Sequence, residues 1–234
     1  MAAAGSGERL GAGGPKAFVP LAGRPMVEWS LAAFRACESV RSIVVAAPPG
    51  HVHGLVGDDL VVIDGGATRS QSVANALAAT ETELVAIHDA ARPLLTSGLV
   101  QELVALLEAD ADAAGVIAAS PVTDTIKQVA RPGEATRGAS TSQEMGDALF
   151  VSETLDRTRL WAAQTPQVLR AEALRAALEV DAGTRDAATD EAMLVEAAGG
   201  TVLLHPTSPQ NLKVTTPLDL RVAELLLAER ATAS

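Results

Sequence analysis

Short apolar runs alternate along this chain with longer stretches in which apolar residues recur every third or fourth position. Residues 43–47 (IVVAA), 60–64 (LVVID), 84–88 (LVAIH), 115–119 (GVIAA) and 201–205 (TVLLH) are apolar at nearly every position. That is the pattern of strands buried on both faces. Between and after them, residues 25–37, 70–79, 97–109, 170–180 and 189–198 carry helical period. A last helix is predicted over 217–230, with Thr216 as N-cap, Pro217 at the first helical position and Asp219 at the third. Strand–helix alternation predicts an α/β fold with right-handed crossovers and a mostly parallel sheet covered by helices. In such folds ligands sit beyond the carboxyl ends of the strands, so the loops that follow strands are where chemistry is sought.

One stretch breaks the alternation. Residues 130–159 (ARPGEATRGASTSQEMGDALFVSETLDRTR) are polar and poor in core-forming side chains. A structureless loop of this length is uncommon inside a compact domain. Either the stretch is disordered or it projects as an arm that another subunit covers.

Composition narrows the classes. At 234 residues and 48% hydrophobic the chain can bury a substantial core. With no Tyr, two Trp and three Phe, that core must be aliphatic and alanine-rich. The formal net charge of -11 repels nucleic acids and anionic membranes, so neither is an expected partner. Only three lysines occur, Lys16, Lys127 and Lys213. Cys37 is the single cysteine, which excludes an intramolecular disulfide and a multi-cysteine zinc site. No run of 18 apolar residues and no basic, then apolar leader are present; a soluble cytoplasmic protein is the expectation.

Three loops carry the densest signals. In the first, Ala3, Ala4, Gly5, Ser6 and Gly7 lead into Gly11, Gly13 and Gly14, with Arg9 and Lys16 set among them. Glycines let backbone N–H groups approach an anion, and two cations add fixed positive charge. The segment satisfies neither the Walker A pattern nor the dinucleotide fingerprint, since Lys16 follows Pro15 and position 10 is Leu. The second, Asp64-Gly65-Gly66-Ala67-Thr68-Arg69-Ser70-Gln71-Ser72, joins a strand to a helix through a turn able to read a base edge with backbone groups. The third is His88-Asp89-Ala90-Ala91-Arg92-Pro93. Asp89 is either half of an Asp–Arg pair across the turn or a carboxylate that meets a magnesium ion arriving with a nucleotide. His88 is read as filling the strand end.

Four weaker elements follow in order: DTIK at 124–127, WAAQTPQ at 161–167, TDEA at 189–192 and NLKVT at 211–215. Together with AAGSGERLG, PKAF, DGG, HDAARP and LDR they resemble the 2-C-methyl-D-erythritol 4-phosphate cytidylyltransferases of the non-mevalonate isoprenoid pathway. The match runs from Ala3 to Thr215.

The resemblance implies a single Rossmann-like nucleotidyltransferase domain over 1–234 with a polar dimerisation arm at about 122–163. It also implies magnesium-dependent cytidylyl transfer from CTP to 2-C-methyl-D-erythritol 4-phosphate, with release of pyrophosphate. Arg9, Lys16, Arg157 and Lys213 are then catalytic. Ala3, Ala4, Gly5, Ser6, Gly7, Gly66, Arg69 and Ser72 bind the nucleotide. Ala90, Arg92, Thr125, Thr165 and Thr189 bind the sugar phosphate, and Asp89 binds Mg2+. Arg157 is expected to act across a homodimer, on an exchanged arm. Ribitol 5-phosphate is the alternative acceptor, and a nucleotide-binding regulator without catalysis is the rival outside the enzyme class. The family's first strand, about five or six residues long, is represented here by only Met1–Ala4, so a longer N-terminus in the native protein is expected. Residues 138–150 are read as extra length in the arm.

Overall fold

The computed structural model describes residues 1–5, 7, 10, 14–51, 55, 57–130 and 149–233. They form two compact units, Met1–Ala119 with Gln164–Ser234, and Ser120–Ala163.

The larger unit opens with a glycine-rich loop and a hairpin of β1 (Pro20–Leu21) and β2 (Arg24–Pro25). Then come α1 (Met26–Arg35), β3 (Ile43–Ala47), β4 (Leu60–Asp64), α2 (Arg69–Ala78), β5 (Leu84–Ile87), α3 (Ser97–Ala109) and β6 (Ala113–Pro121). Strands β7 (Lys127–Val129) and β8 (Val151–Thr154) belong to the smaller unit. The chain returns through β9 (Trp161–Arg170) and continues with α4 (Ala171–Ala177), α5 (Ala182–Ala187), α6 (Glu191–Ala197), β10 (Thr201–Pro206) and α7 (Pro217–Ala233). This is a mixed α/β fold with helices over the sheets.

The five apolar runs all form strands, β3 and β4 with the predicted bounds, but burial on both faces does not hold for all of them: β3 is buried throughout, whereas β4 and β10 are only half-buried. β3 pairs parallel with β4, and β10 pairs parallel with β6. Within the four-stranded sheet of order β10-β6-β9-β5, β9 departs from the parallel pattern by running antiparallel to β5. No apolar run announces β9, because Gln164, Thr165, Pro166 and Gln167 interrupt it; yet Gln164, Thr165 and Gln167 are buried. Their polar atoms have work inside the protein, described below.

Between β3 and β5 lies the N-terminus. Ala2 bridges in parallel to both Ala46 and Asp89. Its N–H donates to the His88 carbonyl at 2.9 Å, and its own carbonyl accepts from Ala90 N–H at 3.0 Å. Ala3 N–H donates to the Ala46 carbonyl and the Met1 ammonium to that of Val44. A cavity of about 540 Å³ opens beside Met1, lined among others by Val44, Val73, Leu84, Val85 and Ala86.

Packing buries apolar positions of the helices. Helix α1 buries Met26, Val27, Ser30, Leu31 and Phe34, and Val27, Leu31 and Phe34 pack with Val45 and Val100. A second cluster joins Val73 and Leu77 to Leu169, Leu174, Leu194 and Val195. Alanines 46, 47, 118 and 119 are fully buried, the small-residue packing expected of an aromatic-poor core. The start of α7 has its capping box: Thr216 N–H donates to Asp219 Oδ2 at 2.8 Å, and Asp219 N–H to Thr216 Oγ1 at 3.2 Å.

The smaller unit is a ladder of exposed strands. β7 and β8 pair antiparallel, Lys127 Nζ donates to Thr154 Oγ1 at 2.7 Å, and the Arg157 guanidinium donates to the Thr123 carbonyl. Residues 131–148, and so most of 138–150, lie outside the described residues.

Candidate functional site

A cleft of about 630 Å³ opens where the glycine loop, the turn after β4, the turn after β5 and the 213–215 segment meet, within the usual range for small-molecule sites. Backbone geometry lets these loops converge. Gly7 sits at φ 75°, where a side chain is strained and a Cβ would stand 2.9 Å from that of Lys16. Gly65 packs so closely on the N-terminal segment that a Cβ there would be 2.4 Å from Ala4 Cβ. Ser72, buried on the first turn of α2, locks the turn from beneath: its hydroxyl accepts from Gly66 N–H at 3.0 Å and donates to the Thr68 carbonyl at 2.9 Å. Thr68 caps α2 by accepting from Gln71 N–H.

Three charges line one side of the cleft, and a fourth, Glu191, is buried behind them. Asp89 Oδ1 accepts from Arg69 Nε at 3.0 Å and Oδ2 from Lys213 Nζ at 2.7 Å. Arg69 Nη1 also donates to both oxygens of Glu191, at 2.6 Å to Oε1. Burial pushes the Asp89 carboxyl up, but Arg69 and Lys213 beside it outweigh that and hold it well below the usual range. Burial likewise opposes the charge on Arg69, and Asp89 with Glu191 more than restores it. Glu191 is raised, chiefly by burial, with Arg69 pulling the other way.

Behind this cluster the polar residues of β9 form a frame. His88 is fully buried at the end of β5. Its Nε2 lies 3.1 Å from the Arg92 carbonyl, and its Nδ1 lies 3.1 Å from Thr165 Oγ1, which accepts from Asp89 N–H. One neutral tautomer satisfies the whole chain: Nε2–H donates to Arg92, the Thr165 hydroxyl donates to Nδ1, and Asp89 N–H donates to that hydroxyl. Asn211 Nδ2 donates to the Thr165 carbonyl and to Gln164 Oε1, each at 2.9 Å. Gln167 holds the start of α6, donating to Asp190 Oδ2 at 2.9 Å and accepting from Ala192 N–H at 3.3 Å.

The buried imidazole has a consequence for acid stability. Burial lowers the His88 pKa from 6.5 to about 3. The unfolded chain therefore binds the extra proton first, and stability present above pH 6.5 is lost as pH falls toward 3, by up to about 1.4 kcal/mol per unit. Asp89, also depressed, adds to the loss only below the ordinary carboxylate range. Urea midpoints measured from pH 7 to pH 4 should fall steadily, and His88→Gln should flatten that slope. Equal slopes for the two proteins would show that His88 does not carry the effect.

Of the residues singled out from sequence, Ala3, Ala4, Gly5, Gly7, Lys16, Gly66, Arg69, Ser72, Asp89, Ala90 and Lys213 all line the cleft. Arg9 and Ser6 lie outside the described residues. Arg92 and Thr165 are buried in the frame, with Arg92 Nη1 donating to the Asn211 carbonyl at 2.7 Å. Thr189 is exposed just before α6. Thr125 and Arg157 are exposed in the smaller unit. Three contributors were not anticipated: Glu191, Asn211 and the positioning role of His88.

Asp89 is a poor metal site by itself, and no group of three or more potential ligands occurs among the described residues. It nonetheless suits Mg2+ that comes with a nucleotide: the carboxylate is held ionised at the cleft wall, and this ion keeps most of its waters or takes phosphate oxygens.

Residues 1–229 match the family model described as IspD: 2-C-methyl-D-erythritol 4-phosphate cytidylyltransferase. The chain is 42% identical over 237 residues to the 2-C-methyl-D-erythritol 4-phosphate cytidylyltransferase of Symbiobacterium thermophilum, covering 98% of this chain and 92% of the relative. It is 40% identical to that of Saccharopolyspora erythraea, covering 97% and 96%. Among solved structures, the Thermus thermophilus enzyme superposes with a TM-score of 0.74 at 34% identity, covering 96% of each chain. The Francisella tularensis enzyme gives 0.75 at 28%, covering 95% of each. Among the described residues, no helix is long and apolar enough to cross a membrane. The chain belongs to the 2-C-methyl-D-erythritol 4-phosphate cytidylyltransferase family, and is a nucleotidyltransferase of isoprenoid biosynthesis that uses CTP.

Proposed function

We propose that the protein transfers the cytidylyl group of CTP to 2-C-methyl-D-erythritol 4-phosphate. The observation that carries this reading is the ionised Asp89 carboxylate held between Arg69 and Lys213, at the wall of a cleft closed by two glycine turns. A phosphate oxygen of the acceptor attacks the α-phosphorus of CTP, a new P–O bond forms, the bond to the β-phosphate bridge breaks, and pyrophosphate leaves. The second pKa of a phosphate monoester is about 6, so the nucleophile is largely dianionic at neutral pH and needs no general base. The protein's task is to bring two polyanions together and stabilise charge on the equatorial oxygens.

In this reading Ala3, Ala4, Gly5, Ser6, Gly7, Gly66 and Arg69 take the nucleotide, with Ser72 keeping the Gly66 turn in shape. Lys16, Lys213 and Arg9 supply point and fork charges at the reacting phosphates. Asp89 would hold Mg2+, which supplies neutralisation of phosphate charge when bound. Ala90, Arg92, Thr125, Thr165 and Thr189 serve the sugar phosphate, Arg92 and Thr165 by shaping the wall behind it. Arg157 acts across a homodimer from the smaller unit.

The test is pyrophosphate release with CTP and Mg2+, comparing methylerythritol phosphate and ribitol 5-phosphate. Release with the former is expected. Release with ribitol 5-phosphate alone would change the acceptor, and release with neither would overturn the transfer reading.

A further inference from the structure

Glu191 lies on no wall of the cleft and is completely buried, yet its carboxylate grips the guanidinium that also reaches Asp89. We infer that Glu191 is a positioning residue for nucleotide binding, acting through Arg69. This rests on the proposed CTP-dependent reading of the cleft.

Arg69 is the first residue of α2, where the positive end of the helix dipole opposes a guanidinium. Left to itself the side chain would swing away from the helix end, or bind Asp89 with its whole fork. Glu191, 122 residues away in sequence, prevents both by taking Nη1 while Asp89 takes Nε. Its own charge is supported against burial chiefly by Arg69, and it opens α6, where a helix N-terminus favours an anion. Its place is fixed by the β9 frame, since Gln167 holds the residues on either side of it, Asp190 and Ala192.

The four-charge arrangement also divides Arg69 between two carboxylates. Asp89 then engages a single nitrogen of Arg69 and keeps the rest of its coordination for Lys213 and for what enters the cleft. Removing the Glu191 charge frees Nη1, so that the guanidinium turns onto Asp89 or onto the nucleotide phosphates in a new geometry. Groups that orient a direct ligand commonly cost about tenfold in affinity or activity when removed.

The test uses the full chain and CTP with Mg2+, by isothermal titration and by steady-state kinetics with both substrates. Glu191→Gln should weaken CTP binding about tenfold and raise KM for CTP alike, with KM for the sugar phosphate within about twofold of wild type. Arg69→Met alone should lower the melting temperature by leaving Glu191 buried without its cation, and Arg69→Met/Glu191→Gln should recover it. In that background Glu191→Gln should add no further loss of CTP affinity. Glu191→Asp, which keeps the charge on a shorter stem, should fall between wild type and Glu191→Gln. Wild-type CTP affinity in Glu191→Gln, equal losses for both substrates, or a full additive loss in the Arg69→Met background would each overturn the inference. If wild type does not bind CTP, the functional reading falls and takes this one with it; if wild type binds and Glu191→Gln binds equally, only this one falls.

Discussion

Turnover of Asp89→Asn should fall by about a thousandfold, roughly 4 kcal/mol of transition-state stabilisation, with folding retained. The substitution keeps the shape of the side chain and one acceptor oxygen but removes the charge that two cations share. Three losses then coincide. The proposed hold on Mg2+ goes, Lys213 loses the anionic anchor at 2.7 Å that places its ammonium, and Arg69 keeps Glu191 as its remaining carboxylate partner. Removing one partner of a buried ion pair is costly because the other charge stays behind, so about 3 kcal/mol of stability should go as well. The measurement is kcat against magnesium concentration, together with a urea midpoint. A mutant with wild-type turnover and an unchanged magnesium requirement would remove Asp89 from the chemistry.

For Lys213→Ala the expectation is a loss of at least about 100-fold, the scale for deleting one preorganised donor, with a smaller effect on stability. Lys213 is 43% exposed at its side chain and Asp89 only 10%, so solvent can replace much of what the lysine gives the fold. What water cannot replace is a point charge fixed where phosphate charge develops. Lys16→Ala, across the cleft wall in the glycine loop, should show a loss of the same order. Lys213→Arg separates the two requirements: it restores charge but with a planar fork in place of a compact ammonium, and should recover stability more fully than rate. Rates near wild type in both alanine variants would sink the proposed site.

Much of the fold can be read from the chain, for reasons that differ between elements. β3 is visible because a strand buried throughout needs apolar side chains on both faces, and β4 carries the same kind of apolar run although it is only half-buried. Helix α3 is visible with its predicted bounds, 97–109, because one face must fit a core. β9 is not, since half of its buried residues are amide or hydroxyl, and such residues look solvated until their partners are known. α5, Ala182–Ala187, buries none of its residues and so imposes no period.

The site divides along the same line. The glycine turns and Asp89 follow strands, where loop chemistry is expected, and the glycines mark close approach. Glu191 leaves no such mark: a glutamate at a helix start is ordinary on a solvated surface, and its partner stands 122 residues earlier. Arg92 and Thr165, ligand contacts by the resemblance, also have protein partners in the fold that no sequence pattern announces. The adjacent motifs QTPQ and TDEA are joined by Gln167 and Asp190, a connection visible only in three dimensions.

Asp89, Glu191, Arg69 and Lys213 carry two negative and two positive charges, and so cancel. An anion approaching from solution does not feel these two cations at long range; it feels a body of net charge -11. Capture of a nucleotide is thus decided at contact, when entering phosphates compete with the carboxylates for cations already in place. An internal salt of this kind gives up electrostatic steering and fast encounter. In exchange, a passing anion that lacks the shape to enter the cleft is not concentrated at its mouth.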